Sequence, residues 1–139
     1  MGDVERRRIV VTGASRGLGR AFACALGAQG ARVVVNGTNA DLPKAVAAEI
    51  AAHGGSALPV IGSVADDSFA EHLVASCVGE FGGIDVVVNN AGIVRDRTLM
   101  NMSPEEFDDV IAVNLRGTWS TSRHAVRAMK EQGHGLLCR

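Results

Sequence analysis

Residues Thr12 to Gly19 (TGASRGLG) directly follow the apolar run Ile9-Val10-Val11, and a helical pattern follows them. Glycines spaced G-x-x-x-G-x-G between a strand and a helix suit one kind of chemistry, the holding of an anion. Free backbone N–H groups and the positive end of a helix dipole, roughly half an elementary charge, converge on one spot. Gly13 permits the tight turn off the strand, Gly17 lets the backbone approach a diphosphate with no Cβ in the way, and Gly19 lets the helix sit close on the sheet. Ser15, Arg16 and Leu18 lie between these glycines and belong to the same candidate binding loop. No Lys-Ser or Lys-Thr follows the glycines, which excludes a Walker phosphate loop.

The identity of the anion turns on the end of the second strand. An acid there would bond the adenosine ribose hydroxyls and repel a 2′-phosphate. This chain has Asn36-Gly37-Thr38-Asn39, with no acid until Asp41. Arg16, in the glycine turn, can pair bidentately with a phosphate. The expectation is a dinucleotide seated on the turn, NADP in preference to NAD, with Asn36 and Thr38 beside its ribose.

Other chemistry-bearing residues point to structural work. His53, His72, His124 and His134 show no metal-ligand spacing with one another or with cysteine, so no metal site is expected. Asp66-Asp67, Glu105-Glu106 and Asp108-Asp109 sit near helix starts and complement the dipole. Cys24, on an Ala- and Leu-rich helix, reads as a small core residue. Cys24, Cys77 and Cys138 are odd in number and scattered, as expected in a reducing, cytoplasmic compartment. Arg6-Arg7-Arg8 reads as a solvated flank. A net charge of −1 implies no bulk attraction to nucleic acid or an anionic membrane, and no apolar stretch approaches the length of a bilayer span.

The elements that must position the loop alternate strand and helix. Strands are expected at Arg8–Thr12, Arg32–Asn36, Ala57–Ile61 and Asp85–Asn89. Helices are expected from Gly17 to Gln29, from the turn containing Pro43 to His53, and from a cap at Asp66 or Asp67 to Phe81. The Asp85–Asn89 run is continuously apolar at its centre, as in a strand covered on both faces. After a loop of about a dozen residues, Ser103-Pro104-Glu105-Glu106 supplies an N-cap, a proline at the first helical position and a glutamate three residues past the cap. That helix is expected to run to Gln132 with a break near Asn114 to Gly117, and Leu136-Leu137-Cys138 begins a strand. Aromatics are only 4% of the chain, so the core must be Ala, Val, Ile and Leu, which suits helices packed on a parallel sheet. The whole, residues 1–139, is expected to be one α/β, Rossmann-like, doubly wound domain with strand order 3-2-1-4, ending before or within a fifth strand. On that reading the fourth strand forms an exposed hydrophobic edge that promotes association.

TGASRGLG, Asn89-Asn90-Ala91-Gly92 and Asn114 in VNLRG resemble, in order and spacing, motifs of the short-chain dehydrogenase/reductase family. The resemblance covers essentially the whole chain but only about the first half of a family member. It implies that Asn90, Ala91 and Gly92 border the cofactor and that Asn114 stands where the family has a catalytic Asn. It further implies hydride transfer between NADPH and a carbonyl or hydroxyl substrate, and assembly as a homo-oligomer in which the helix bearing Trp119 and Met129 meets its partner; the other reading of those two side chains is core packing. The run AGIVRDRTLMNMSPEEF looks like the branch acting on 3-oxoacyl or 3-hydroxyacyl thioesters. Two departures stand out. Gly62-Ser63-Val64 places Ser63 where members usually carry an Asp against the adenine ring, leaving Ser63 and Val64 as the candidate contacts. The family's Ser and its Tyr-x-x-x-Lys have no counterpart, since the sequence holds no tyrosine. The 139-residue chain is therefore expected to be inactive. The alternatives are a non-catalytic dinucleotide-binding or interaction module, and a methyltransferase of similar architecture, which would need an acid near Asn36.

Overall fold

The computed structural model describes residues 3–139. Its elements run β1 (Arg8–Val11), α1 (Gly17–Ala28), β2 (Arg32–Gly37), α2 (Leu42–Ala52), β3 (Ser56–Ile61), α3 (Asp67–Phe81), β4 (Val86–Val88), α4 (Pro104–Ile111), a π-helical turn (Ala112–Arg116), α5 (Gly117–Gln132) and β5 (Leu136–Cys138). The sheet order is β3-β2-β1-β4-β5, and every neighbouring pair is parallel. Successive strand residues point to opposite faces. Ile9, Val11, Val33 and Val35 therefore join one buried cluster with Ala23, Val46 and Ile50 from α1 and α2. Val10, Val34 and Val87 join the other, with Leu73, Val74 and Cys77 from α3 and Ala125 and Met129 from α5. Small aliphatic side chains fill both layers, and the sheet is covered on both sides as its apolar strands require.

The helix starts follow local chemistry. Asp66 caps α3 by accepting the backbone N–H groups of Ser68 and Phe69, and the Ser68 hydroxyl leads the bonds that hold its carboxyl below the usual range. Ser103 and Glu106 form a complete reciprocal capping box at α4, with Pro104 in its first turn. Asp108 and Asp109 stand a turn further in than a dipole role requires.

Two expectations need correction, and a third is met in a particular form. The fourth strand is not the edge: Leu136, Leu137 and Cys138 pair with Val86, Val87 and Val88, and the ladder is extended by Leu136 N–H to Asp85 O and Asn89 N–H to Cys138 O. The break expected near Asn114 to Gly117 takes the form of a change in helix type, α4 giving way to a π turn over Ala112–Arg116 before α5. The π turn accommodates one extra residue and the axis continues. That insertion aligns a row of side chains. Positions four apart on an α-helix drift by about 40°, so Phe107, Ile111, Leu115 and Trp119 would drift by about 120°; absorbing one residue removes about 100° of that. All four are exposed, Trp119 at 56%. Trp119 is thus not core, whereas Met129 is, at 6% exposure.

The second correction concerns Arg8, which is no solvated flank. Its guanidinium donates to both oxygens of Asp85 at 2.8 Å, and its own N–H donates to Asp85 Oδ2. His134 Nε2 lies 2.7 Å from Asp85 Oδ1 and brings the start of β5 to the same carboxylate. Asp85 is nearly buried, and the Arg8 side chain leads the causes that hold its carboxyl far below the usual range. A depressed carboxyl pKa stabilises the fold at pH values above about 4 and loses that contribution as pH falls. Asp85→Asn is expected to lower stability at pH 7 by about 2–3 kcal/mol, because Arg8 is left without its partner. Urea unfolding at pH 7 and at pH 3 checks this: the gap between wild type and variant should narrow at the lower pH.

Candidate functional site: a cleft at the carboxyl ends of the strands

The cleft forms where the chain leaves β1 toward β2 on one side while β4 lies on the other, the point at which strand order reverses. It has a volume of about 510 Å³ and is lined by Gly13, Ser15, Arg16, Asn36, Gly37, Thr38, Asn39, Leu42, Gly62, Ser63, Val64, Asn90, Ala91, Gly92, Ile93 and Val113. No Asp or Glu is among these residues.

Its floor is the glycine turn. Gly13 has φ +60°, and a Cβ there would stand 2.7 Å from Ala91 Cα, so both the turn and the approach of the next loop require glycine. A Cβ on Gly19 would overlap the Gly13 carbonyl and the Asn90 amide. Gly17 (φ +58°) faces open space. Leu18 projects outward at 70% exposure and does not line the cleft. Helix α1 starts at Gly17 with extended backbone at Arg16, no side-chain cap and no acid in its first turn. Its free N–H groups and positive dipole end are therefore left for an external anion. Ser15 Oγ is buried without a hydrogen-bond partner, against Gly37. A buried hydroxyl without a partner costs about 1–3 kcal/mol, which a ligand oxygen would recover. These features fit a diphosphate.

Two expected contacts turn inward. Asn36 is 2% exposed; its Nδ2 donates to Val60 O and Gly62 O at 3.1 Å, and its Oδ1 accepts the Gly13 N–H at 3.4 Å. Its side chain ties β2 to the end of β3 and to the glycine turn, leaving Thr38, Asn39 and Arg16 as the polar groups on that wall. Asn114 lies outside the lining. Its Oδ1 accepts the Ile93 N–H at 2.8 Å and its Nδ2 donates to Ile93 O at 3.0 Å. Its own carbonyl accepts the Thr118 hydroxyl at 3.1 Å. Asn114 thus clamps the loop after β4.

Sequence reasoning passed over Thr12, which holds that loop from the other side. Its hydroxyl accepts the N–H groups of Asn90 (3.0 Å) and Ala91 (2.9 Å) and donates to Val88 O at 3.4 Å. Asn90 Nδ2 returns bonds to Thr12 O and Gly13 O. The one available signal was a β-branched hydroxyl immediately before the first glycine. Asn39, Leu42, Gly62, Ile93 and Val113 also line the cleft without having been singled out.

A rival constellation lies elsewhere. Asp67 Oδ1 accepts the Ser120 hydroxyl and stands 3.1 Å from His124 Nε2, and these bonds, Ser120 first, hold its carboxyl below the usual range. Serine and histidine share one acceptor instead of bonding each other, so neither activates the other as a nucleophile; the trio joins α3 to α5. Burial pushes the Cys77 thiol up to about 12 and raises Cys24, so neither is a reactive thiolate. Among the described residues, no group of three His, Cys, Asp or Glu could hold a metal ion, and no helix is long and apolar enough to cross a membrane.

A doubly wound sheet with an uncapped glycine turn at its switch point defines a nucleotide-binding α/β protein of Rossmann type. The family described as short chain dehydrogenase matches residues 7–138. The chain belongs to that oxidoreductase family. It is 45% identical over 135 residues to the hydroxyacyl-CoA dehydrogenase ChsB1 of Mycobacterium tuberculosis, an alignment covering 94% of this chain and 42% of that one. It is 39% identical over 135 residues to the 3-oxoacyl-[acyl-carrier-protein] reductase FabG of Escherichia coli, covering 97% and 54%. A short chain dehydrogenase structure from Mycobacterium avium superposes with a TM-score of 0.91 at 45% identity, covering 98% of this chain and 52% of that one. The chain spans about half the length of the curated relatives it matches.

Replacing Thr12 with valine keeps its shape but leaves the Ala91 N–H without an acceptor and the Asn90 N–H with only the Val88 carbonyl. The expected cost is about 2–3 kcal/mol. Amide hydrogen exchange checks it: Asn90 and Ala91 should lose protection well beyond residues in β2 and β3.

Proposed function

We propose that this chain is the dinucleotide-holding half of a short-chain oxidoreductase and that it binds NADP(H) in preference to NAD(H). The observation that carries the reading is the uncapped start of α1 beside the partnerless Ser15 hydroxyl, in a cleft lined by no carboxylate. The diphosphate sits over Gly13, Ser15 and the first turn of α1. The adenosine half crosses the ends of β2 and β3, with Arg16 and Thr38 at the ribose phosphate and Ser63 and Val64 at the base. The nicotinamide half lies toward Asn90, Ala91 and Gly92. When bound, the nicotinamide supplies or accepts a hydride. The substrate class is a small carbonyl compound or a 3-oxoacyl thioester, the latter in keeping with the printed names of ChsB1 and FabG. The site of action is the cytoplasm, in keeping with three free cysteines.

Proton transfer to a carbonyl oxygen needs an acid near neutrality, and a phenol lowered by a neighbouring ammonium is one solution. No tyrosine occurs in the 139 residues, so this chain holds and orients the dinucleotide without turning over substrate. Asn114 acts here as a positioning residue through Ile93. Titration with NADPH, followed by reduced-nicotinamide fluorescence, tests the reading. Saturable binding without carbonyl reduction is expected. Arg16→Ala should weaken NADPH about tenfold while changing NADH less than about twofold, since the lost pair is with the 2′-phosphate. Absence of binding by the folded chain overturns it.

The partner surface is a second copy of this chain. The exposed row Phe107, Ile111, Leu115 and Trp119 runs along a helix whose first part carries Glu105, Asp108 and Asp109 and whose second carries Arg116, Arg123 and Arg127. A two-fold axis across such a row sets the acidic part of one helix over the basic part of the other. Sedimentation is expected to show a dimer, and Trp119→Lys a monomer with unchanged secondary structure by circular dichroism.

A further inference from the structure

We propose that the amino end of the sheet, opposite the dinucleotide cleft, is an anion site at which Arg6, Arg7 and Arg32 hold a phosphate-class dianion, free or as a monoester. The inference is independent of the dinucleotide reading. A cavity of about 420 Å³ opens there, and its lining includes these three arginines, Arg8 with Asp85 and His134, and the acids Asp3 and Glu5. Backbone bonds gather the three cations. The Arg7 carbonyl accepts the Arg32 N–H at 2.8 Å, and the Arg6 N–H donates to Gly30 O at 2.8 Å, just before β2. Arg32 stands in register with Arg8 on the neighbouring parallel strand, so their side chains leave the same face of the sheet.

The character of the cavity follows from which charges are already engaged. Asp85 has no capacity left for Arg32: its Oδ2 accepts Arg8 N–H and Nε, and its Oδ1 meets Arg8 Nη2 and His134 Nε2. Arg8 also donates to Gly82 O at 3.0 Å, reaching toward β4 and away from β2. Among the described residues, no carboxylate pairs with the guanidinium of Arg6, Arg7 or Arg32. Arg7 Nε donates instead to the main-chain carbonyl of Asp3, at 3.2 Å, and the Glu5 stem lies against Gly30. Unpaired guanidiniums around one cavity repel one another. A dianion with several oxygens relieves that repulsion and takes their N–H forks bidentately. Asp3 and Glu5 offset part of the positive charge, which keeps the affinity modest. Arg6 also has left-handed backbone, φ +63°, a conformation that glycine adopts without the steric cost a side chain brings.

The test titrates the full, nitrogen-15-labelled chain with inorganic phosphate and, as the monoester, with glycerol 3-phosphate, at an ionic strength matched by sodium chloride. Backbone amide and arginine Nε–H resonances are followed. Saturable shifts at Arg6, Arg7 and Arg32 are expected, with a dissociation constant on the order of 1 mM. A response to both anions assigns the phosphate group itself as what is recognised, and a response to the monoester alone assigns an organic phosphate. Arg32→Gln should weaken binding about tenfold, the loss of one charge-assisted pair. Arg6→Gly should weaken it by a similar factor while the melting temperature does not fall, since the left-handed turn suits glycine. Shifts confined to residues 13–17, or equalled by chloride, overturn the proposal and leave the dinucleotide reading standing. So does binding that changes by less than about twofold in both variants.

Discussion

The structure depends on the seam between β1 and the loop that leaves β4. Beyond Val88 the parallel ladder stops, and a cleft at a switch point would splay if nothing replaced it. The replacement is a pair of side chains: Thr12 takes two loop N–H groups and gives its proton to Val88 O, and the Asn90 amide donates back to Thr12 O and Gly13 O. That arrangement is possible only because Gly13 has no Cβ to strike Ala91. Each bond is worth about 1 kcal/mol net, yet leaving the buried N–H groups unpaired costs more than making the bonds gains. The seam is therefore held less by attraction than by the penalty of opening it.

The opposite end of the same strands is held differently. There a nearly buried Asp85 is met by Arg8 and by His134, so β1, β4 and the approach to β5 converge on one carboxylate. A three-residue strand with exposed side chains buries too little to hold itself in place. Its ladder and the His134 contact do that work. Charge pins the amino end and neutral hydrogen bonds shape the carboxyl end, which leaves the cleft free of fixed negative charge and open to an anion.

What the sequence made legible was local. The glycine turn, the Asp66 and Ser103 caps and the apolar strands each draw on residues within a few positions of one another, and α2, α3 and α4 begin close to where their caps and prolines put them. The sheet order followed from alternating strands and helices with right-handed crossovers. What was hidden depends on partners far along the chain. Arg8 looks solvated until Asp85, 77 positions away, is brought beside it. Asn36 looks free in the sequence until β3 arrives to take its amide, although the residue still lines the cleft. The interruption near Asn114 was legible in the pattern, but its π form is a matter of one residue's register that no period announces, and β5 is too short for its pattern to fix its pairing.

The engagement of Asn114 says how the cleft keeps its shape. Both polar atoms of its side chain are committed to Ile93, and its carbonyl is committed to Thr118. Freeing the amide would release the loop after β4, which lines the cleft through Ala91, Gly92 and Ile93. Its commitment is therefore to geometry. The turn after β1 and the loop after β4 are bonded to each other through Thr12 and Asn90, and that loop is bonded to the long helix through Asn114. The cleft is thus shaped by three side chains far apart in sequence, each of which spends its polar atoms on backbone groups and none on another side chain, so its walls stay in register without depending on the charge state of any residue.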